Sequence, residues 1–105
     1  MDQVKIYLSC GGGLSSGFLA QQTRKAAKKS GENVLVEAIS ESEIPRYLDK
    51  IDILLLGPHY AFRQKPVEEL SNGRFPVLVI PSDVYSQLDG KALLEIALKE
   101  LKGEE

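Results

Sequence analysis

One cysteine, three consecutive glycines and two serines fall within the eight residues Cys10-Gly11-Gly12-Gly13-Leu14-Ser15-Ser16-Gly17. Each residue type supplies something that phosphoryl chemistry needs. Glycines admit backbone conformations closed to other residues and allow a ligand close to the main chain. The segment that follows, 14–29, reads as a helix. Its first N–H groups are unpaired and its N-terminus is partially positive, a combination suited to phosphate. Ser15 and Ser16 add hydroxyl donors. Cys10 stands at the rim of this anion cradle, where a helix N-terminus favours the nucleophilic thiolate over the thiol. Taken singly, Cys10 would read as a small buried hydrophobe, the serines as helix caps and the glycines as a plain turn. Found together, they favour a nucleophile built into a phosphate cradle.

Such a cradle has to be held by a scaffold, and the apolar runs describe one. They lie at Val4–Ser9, 34–39, 51–56 and 77–80. Three of them are almost continuously apolar, the pattern of strands buried on both faces in a parallel sheet. Glu37 breaks the second, which suits an edge strand. Helical segments are expected between them at 14–29, 42–48, 66–70 and 90–101. Gly31 is expected to end the first, and Ser40 with Glu43 to form a capping box before the second. Pro66 is expected at the first position of the third helix and Asn72-Gly73 at its end. Asp89 is expected to cap the last, whose apolar stripe runs through Leu93, Leu94, Ala97, Leu98 and Leu101. Alternating strands and helices imply an α/β fold with right-handed crossovers. The small version is a four-stranded parallel sheet of order 2-1-3-4 with helices on both faces, doubly wound and flavodoxin-like. Residues 1–105 read as one domain.

Ligands of such sheets bind beyond the carboxyl ends of the strands, near the switch in strand order. Three loops meet that description: the cysteine loop, Gly57-Pro58-His59-Tyr60, and Pro81-Ser82-Asp83-Val84-Tyr85. His59 and Tyr60 are candidate contacts to phosphate or to a partner, with a loop histidine of no function as the equal alternative. His59 is the only histidine and Cys10 the only cysteine. Neither a metal site nor another cofactor is therefore expected. Tyr60 and Phe62 read as core or as a partner patch, and Arg24, Lys25, Lys28 and Lys29 as the solvated face of the first helix.

Composition narrows the class further. The chain has 105 residues, is 43% hydrophobic and 27% charged, and carries a formal net charge of −2. Without a basic footprint, nucleic acid is not an expected partner. No run approaches the ~20 apolar residues of a membrane helix. The residues 1–5 lack a signal-peptide layout, and a lone cysteine suits a reducing cytoplasm.

Related chemistries fit less well. Gly11 and Gly13 begin a dinucleotide fingerprint, but Ser16 occupies its third glycine position. A nucleoside-triphosphate loop would need Gly-Lys-Ser/Thr. A response-regulator receiver needs an acidic pocket and an acceptor aspartate, where Ser9-Cys10 and Gly57-Pro58 stand. The nearest competitor is a low-molecular-weight cysteine phosphatase or arsenate reductase, which shares the fold and has arginine six positions after its cysteine. Ser16 stands there, so no guanidinium clamps the phosphoryl group, although Asp83 would be a conceivable general acid. A non-enzymatic anion-binding or regulatory module is a third reading.

Cys10-Gly11-Gly12-Gly13-Leu14-Ser15-Ser16 resembles the Cys-x-x-Gly-x-Ser-Ser/Thr loop of IIB subunits in the lactose/cellobiose (chitobiose) class of the sugar phosphotransferase system. Residues 34–43 resemble their second strand and following turn, and Leu54-Leu55-Leu56-Gly57-Pro58-His59 their third strand and Gly-Pro-Gln segment. The resemblance spans nearly the whole chain. It implies that Cys10 accepts a phosphoryl group from a phosphohistidine of a IIA subunit. The group then passes to a β-linked disaccharide or glucoside held by the membrane IIC subunit, where a cytoplasmic carrier would associate peripherally. Gly11, Gly12, Gly13, Leu14, Ser15, Ser16 and Gly17 inherit the phosphate cradle. Gly17 stands where the family often has serine, and His59 where it often has glutamine.

Gly12→Val or Gly13→Val should impair phosphate acceptance more than stability, because a β-branched residue resists positive φ and would crowd the anion. Normal acceptance rates alongside normal melting temperatures in both variants would misplace the cradle.

Overall fold

The computed structural model describes residues 3–9 and 14–103, with residues 14–16 described by their backbone alone. β1 (Val4–Ser9), β2 (Val34–Ala38), β3 (Ile53–Leu56) and β4 (Val77–Val79) form a four-stranded parallel sheet in the order β2-β1-β3-β4. Between and after them run α1 (Leu14–Ser30), α2 (Ile44–Tyr47), α3 (Gln64–Ser71), α4 (Ser82–Ser86) and α5 (Gly90–Lys102). This is the doubly wound arrangement read from the apolar runs.

Side chains alternate across the two faces of a strand, and here each face has its own core. Ile6 and Leu8 of β1, Val36 of β2, and Ile53 and Leu55 of β3 pack under α1 and α5, against Leu19, Ala20, Leu93, Leu94 and Ala97. Tyr7, Leu54, Leu56 and Val77 point the other way, against Ile44 of α2, Val67 of α3 and Phe75. β3 is apolar throughout because both its faces are covered: all four of its residues are buried. β2 is an edge, and its Glu37 and Ala38 are exposed.

Several helix boundaries follow the sequence. Gly31 (φ +72°) follows α1, Asn72 (φ 52°) caps α3 in the left-handed region, and the Asp89 carboxylate accepts the Ala92 N–H at 3.1 Å. Glu43 Oε1 accepts the Ser40 N–H at 2.9 Å and its hydroxyl at 3.0 Å, which anchors the 3-10 turn Glu41–Glu43 ahead of α2. Other boundaries differ. α3 starts at Gln64, so Pro66 is its third residue rather than its first. That is permitted because N–H groups of a first turn have no intrahelical partner. β3 begins at Ile53 rather than residue 51, because Asp52 instead brackets β1: its N–H donates to Lys5 O (3.0 Å) and its carboxylate accepts the Lys5 N–H (2.8 Å). Two segments read as loops are helical, the 3-10 stretch Pro58–Arg63 and α4.

α1 and α5 lie side by side on one face, and Gly90 brings them together. A Cβ at Gly90 would fall on the backbone of Gln22 and Thr23 in α1. Gly90→Ala should therefore destabilise by about 2 kcal/mol, since backbone cannot rotate away as a side chain would and overpacking outweighs the gain of at most about 1 kcal/mol in helix propensity. The expected fall in melting temperature is roughly 10 °C. An unchanged value would mean that the helices are not in backbone contact.

Candidate active site

The carboxyl ends of the strands form one edge. Leu8 O accepts the Ile39 N–H at 2.8 Å, Ser9 O accepts the Gly57 N–H at 3.1 Å, and Leu56 O accepts the Ile80 N–H at 2.8 Å. The loops after β1, β3 and β4 therefore leave from neighbouring points, with the switch in strand order between β1 and β3.

Cys10, Gly11, Gly12 and Gly13 lie outside the described residues, as do the side chains of Leu14, Ser15 and Ser16. The backbone of 14–17 forms the first turn of α1, a helix of 17 residues with no acidic residue in its first turn and Lys28 and Lys29 in its last. The basic last turn matches the helix dipole, and the first turn carries no carboxylate to repel an anion. Gly17 is exposed, and a Cβ placed there meets nothing within 4 Å. A serine would fit, so packing does not require the glycine.

The second loop is a turn of 3-10 helix with Pro58 at its start. Its φ-restricted ring and missing N–H suit that position. His59 is exposed and packs edge-on against Tyr60 (ring centroids 4.9 Å apart) and Tyr85 of α4 (5.4 Å). Tyr60 in turn stacks on Phe62 at 5.8 Å. The third loop thus meets the second through Tyr85, a residue that sequence reasoning did not single out. Phe62 is 73% exposed and Phe18, in the second turn of α1, is 53% exposed. Of the two sequence readings for Tyr60 and Phe62, Phe62 belongs to the surface. Asp83 uses its carboxylate locally, accepting the Val84 N–H at 3.0 Å.

A guanidinium braces this edge. Arg63 donates to both oxygens of Glu41, Nε to Oε1 at 3.0 Å and Nη2 to Oε2 at 2.5 Å. The hydrogen bond from Arg63 holds the Glu41 carboxyl below its ordinary range. Bidentate pairs combine strength with fixed geometry, so the 3-10 turns Glu41–Glu43 and Pro58–Arg63 are held to one another. Just beyond, the Gln64 amide donates to Val77 O at 2.9 Å and ties the same segment to β4. Glu41 and Arg63 stand 22 positions apart, and nothing local in the sequence links them.

Comparison with known proteins bears on this geometry. Residues 5–96 match the family model of the phosphotransferase-system lactose/cellobiose-specific IIB subunit. Two relatives are each 32% identical over 98 residues, covering 88% of this chain and 91% of the relative. They are the galactose-specific EIIB component of Lactococcus lactis subsp. cremoris and the cellobiose-specific EIIB component of Lactococcus lactis subsp. lactis. The cellobiose-specific IIB component of Borrelia burgdorferi superposes with a TM-score of 0.81 at 30% identity, over 98% of this chain and 95% of that one. A lactose-specific IIB domain from Streptococcus pneumoniae shares the fold at 15% identity, with a TM-score of 0.82 over 93% of this chain and 97% of that one.

The Arg63–Glu41 brace has a defined pH dependence. A carboxyl whose folded pKa is depressed contributes stability above its unfolded pKa, about 4.3 for glutamate, and loses it as pH falls through the folded value. Both side chains are about one-third exposed, so screening keeps the contribution small. It should be read locally, as faster amide exchange at Tyr60, Ala61 and Arg63 when pH drops below that window, after correction for intrinsic rates. Glu41→Gln should show the same loosening at pH 7 and lose the pH step. A step that persists in the variant would assign it to another group.

Proposed function

Because the chain belongs to the lactose/cellobiose-specific IIB subunit family of the phosphotransferase system, we propose that it is the cytoplasmic phosphocarrier of a sugar uptake system, with Cys10 as the carrying residue. Family membership gives phosphoryl transfer during sugar uptake. The assignment to Cys10, to a IIA donor and to a IIC acceptor goes further. One observation carries it: the sole cysteine and its triple-glycine loop join the central strand to a long helix whose first turn holds no acid.

The chemistry is two in-line transfers. In the first, the Cys10 thiolate forms an S–P bond as the N–P bond of a IIA phosphohistidine breaks, and the imidazole nitrogen keeps the electron pair. In the second, a hydroxyl oxygen of a β-linked disaccharide or glucoside bound by IIC attacks phosphorus. The S–P bond breaks, the thiolate is regenerated, and the hydroxyl proton leaves to a base or to water. Gly11, Gly12, Gly13, Leu14, Ser15, Ser16 and Gly17 supply positioning and N–H donors for the phosphoryl oxygens. Ser16 in place of the phosphatase arginine leaves a hydrolytic transition state without a guanidinium. The exposed rings of Phe18 and Phe62, with His59 and Tyr60 beside the latter, suit the docking of protein partners on this rim.

The reading predicts that phosphorylated IIA labels the wild-type protein on Cys10 and leaves Cys10→Ser, equally folded, unlabelled. The isolated phosphoprotein should persist in buffer and discharge within the mixing time onto membranes holding IIC and a β-disaccharide. Mass spectrometry follows both steps. Label on His59, or rapid decay in buffer with turnover of aryl phosphates, would replace the carrier by a phosphorelay histidine or a phosphatase.

A further inference from the structure

The packing that Gly90 permits leaves a cleft of about 440 Å3 between the second half of α1 and the α4–α5 junction. Ala26 and Leu88 are the apolar residues of its lining, and Lys25 and Lys29 of α1 and Lys91 of α5 stand around it. Leu88 holds φ 51°, an uncommon conformation for a branched side chain, and so turns the chain from α4 into α5. Gln22 and Ser30 contribute an amide and a hydroxyl to the lining.

The charges here are not balanced. Lys25 and Lys29 lie one turn apart on the same helix face, an arrangement that costs a few tenths of a kcal/mol. Among the described residues, neither they nor Lys91 form an ion pair, whereas neighbouring Arg24 pairs with Glu37 at 3.3 Å. The cleft's one carboxylate, Asp89, is engaged by the Ala92 N–H. Three exposed lysines thus line a concavity in a chain whose net charge is −2. Its size is that of a small-molecule site, and a concavity with lysines from two helices, α1 and α5, suits a compact anion better than a flat anionic surface. Lys25 lies eleven residues along α1 from Leu14, about 16 Å away, so the cleft is separate from the cysteine loop.

From this geometry we infer that the cleft binds a phosphorylated, hydroxyl-bearing small molecule. Lys25, Lys29 and Lys91 hold the phosphate, Gln22 and Ser30 meet hydroxyls, and Ala26 with Leu88 underlies the carbon skeleton. A sugar phosphate has this chemistry and is the product class of the transfer proposed above. That attribution rests on the proposed function; anion binding at the cleft does not.

The test is a titration of the full chain, followed by amide NMR at constant ionic strength, with glucose 6-phosphate, inorganic phosphate and unphosphorylated cellobiose in parallel. Glucose 6-phosphate should give saturable shifts at Lys25, Lys29, Leu88 and Lys91, and cellobiose none. A Lys25→Gln/Lys91→Gln double variant, which keeps much of each aliphatic stem, should bind at least about tenfold more weakly with an otherwise unchanged spectrum. Equal affinity for inorganic phosphate supports the anion site and overturns its assignment to a sugar phosphate. Absent saturation, shifts confined to residues 14–17, or undiminished binding in the double variant overturns the site. Cys10→Ser should titrate like the parent, so loss of carrier function and loss of this site are read separately.

Discussion

β1 is hydrogen-bonded along both edges and covered on both faces, and this double confinement orders the rest of the molecule. Its register runs from Val4 opposite Val34 to Leu8 opposite Ala38 on one side, and from Ile6 opposite Ile53 to Ser9 opposite Leu56 on the other. A slip of one residue would send Ile6 and Leu8 to the face now occupied by Tyr7, so both cores would have to be rebuilt. The strand's last residue, Ser9, is therefore fixed beside Gly57 at the switch in strand order. The chain must enter its glycine loop from that point.

The rim around that point is organised differently. Its turns are short and largely exposed, and they are held by side chains rather than by a core. Arg63 grips Glu41, Gln64 reaches the backbone of β4, and Glu43 closes on Ser40. Contacts of this kind are individually modest at a surface, yet together they join the segments after β2 and β3. The His59–Tyr85 ring contact adds the segment after β4. The backbone of the rim is thereby held in shape beneath exposed rings such as that of Phe62.

On the opposite face of this economy stands Gly90. By letting the first turn of α5 rest on α1, it joins the helix that begins at the cysteine loop to the last helix of the fold. The same close approach opens the lysine-rimmed cleft beside it.

The sequence alone determined the four strands, the sheet order, the first and last helices with their ends, and the family. These rest on short-range signals, such as apolar runs of strand length, Asp89 before a helical stripe, and a cysteine beside three glycines. It also pointed to Cys10 and its loop, to Gly17, and to His59 and Tyr60 on the neighbouring loop. Only the tertiary structure decided that Tyr85 meets His59, that Arg63 holds Glu41, that Pro58–Arg63 and α4 are helical, and that Lys91 lines the same cleft as Lys25 and Lys29. The physical reason is range. Strands and long helices declare themselves through periodicity within a few residues, whereas these pairs lie 22 to 66 positions apart along the chain. They become neighbours only when parallel crossovers return each segment to the same edge or face of the sheet.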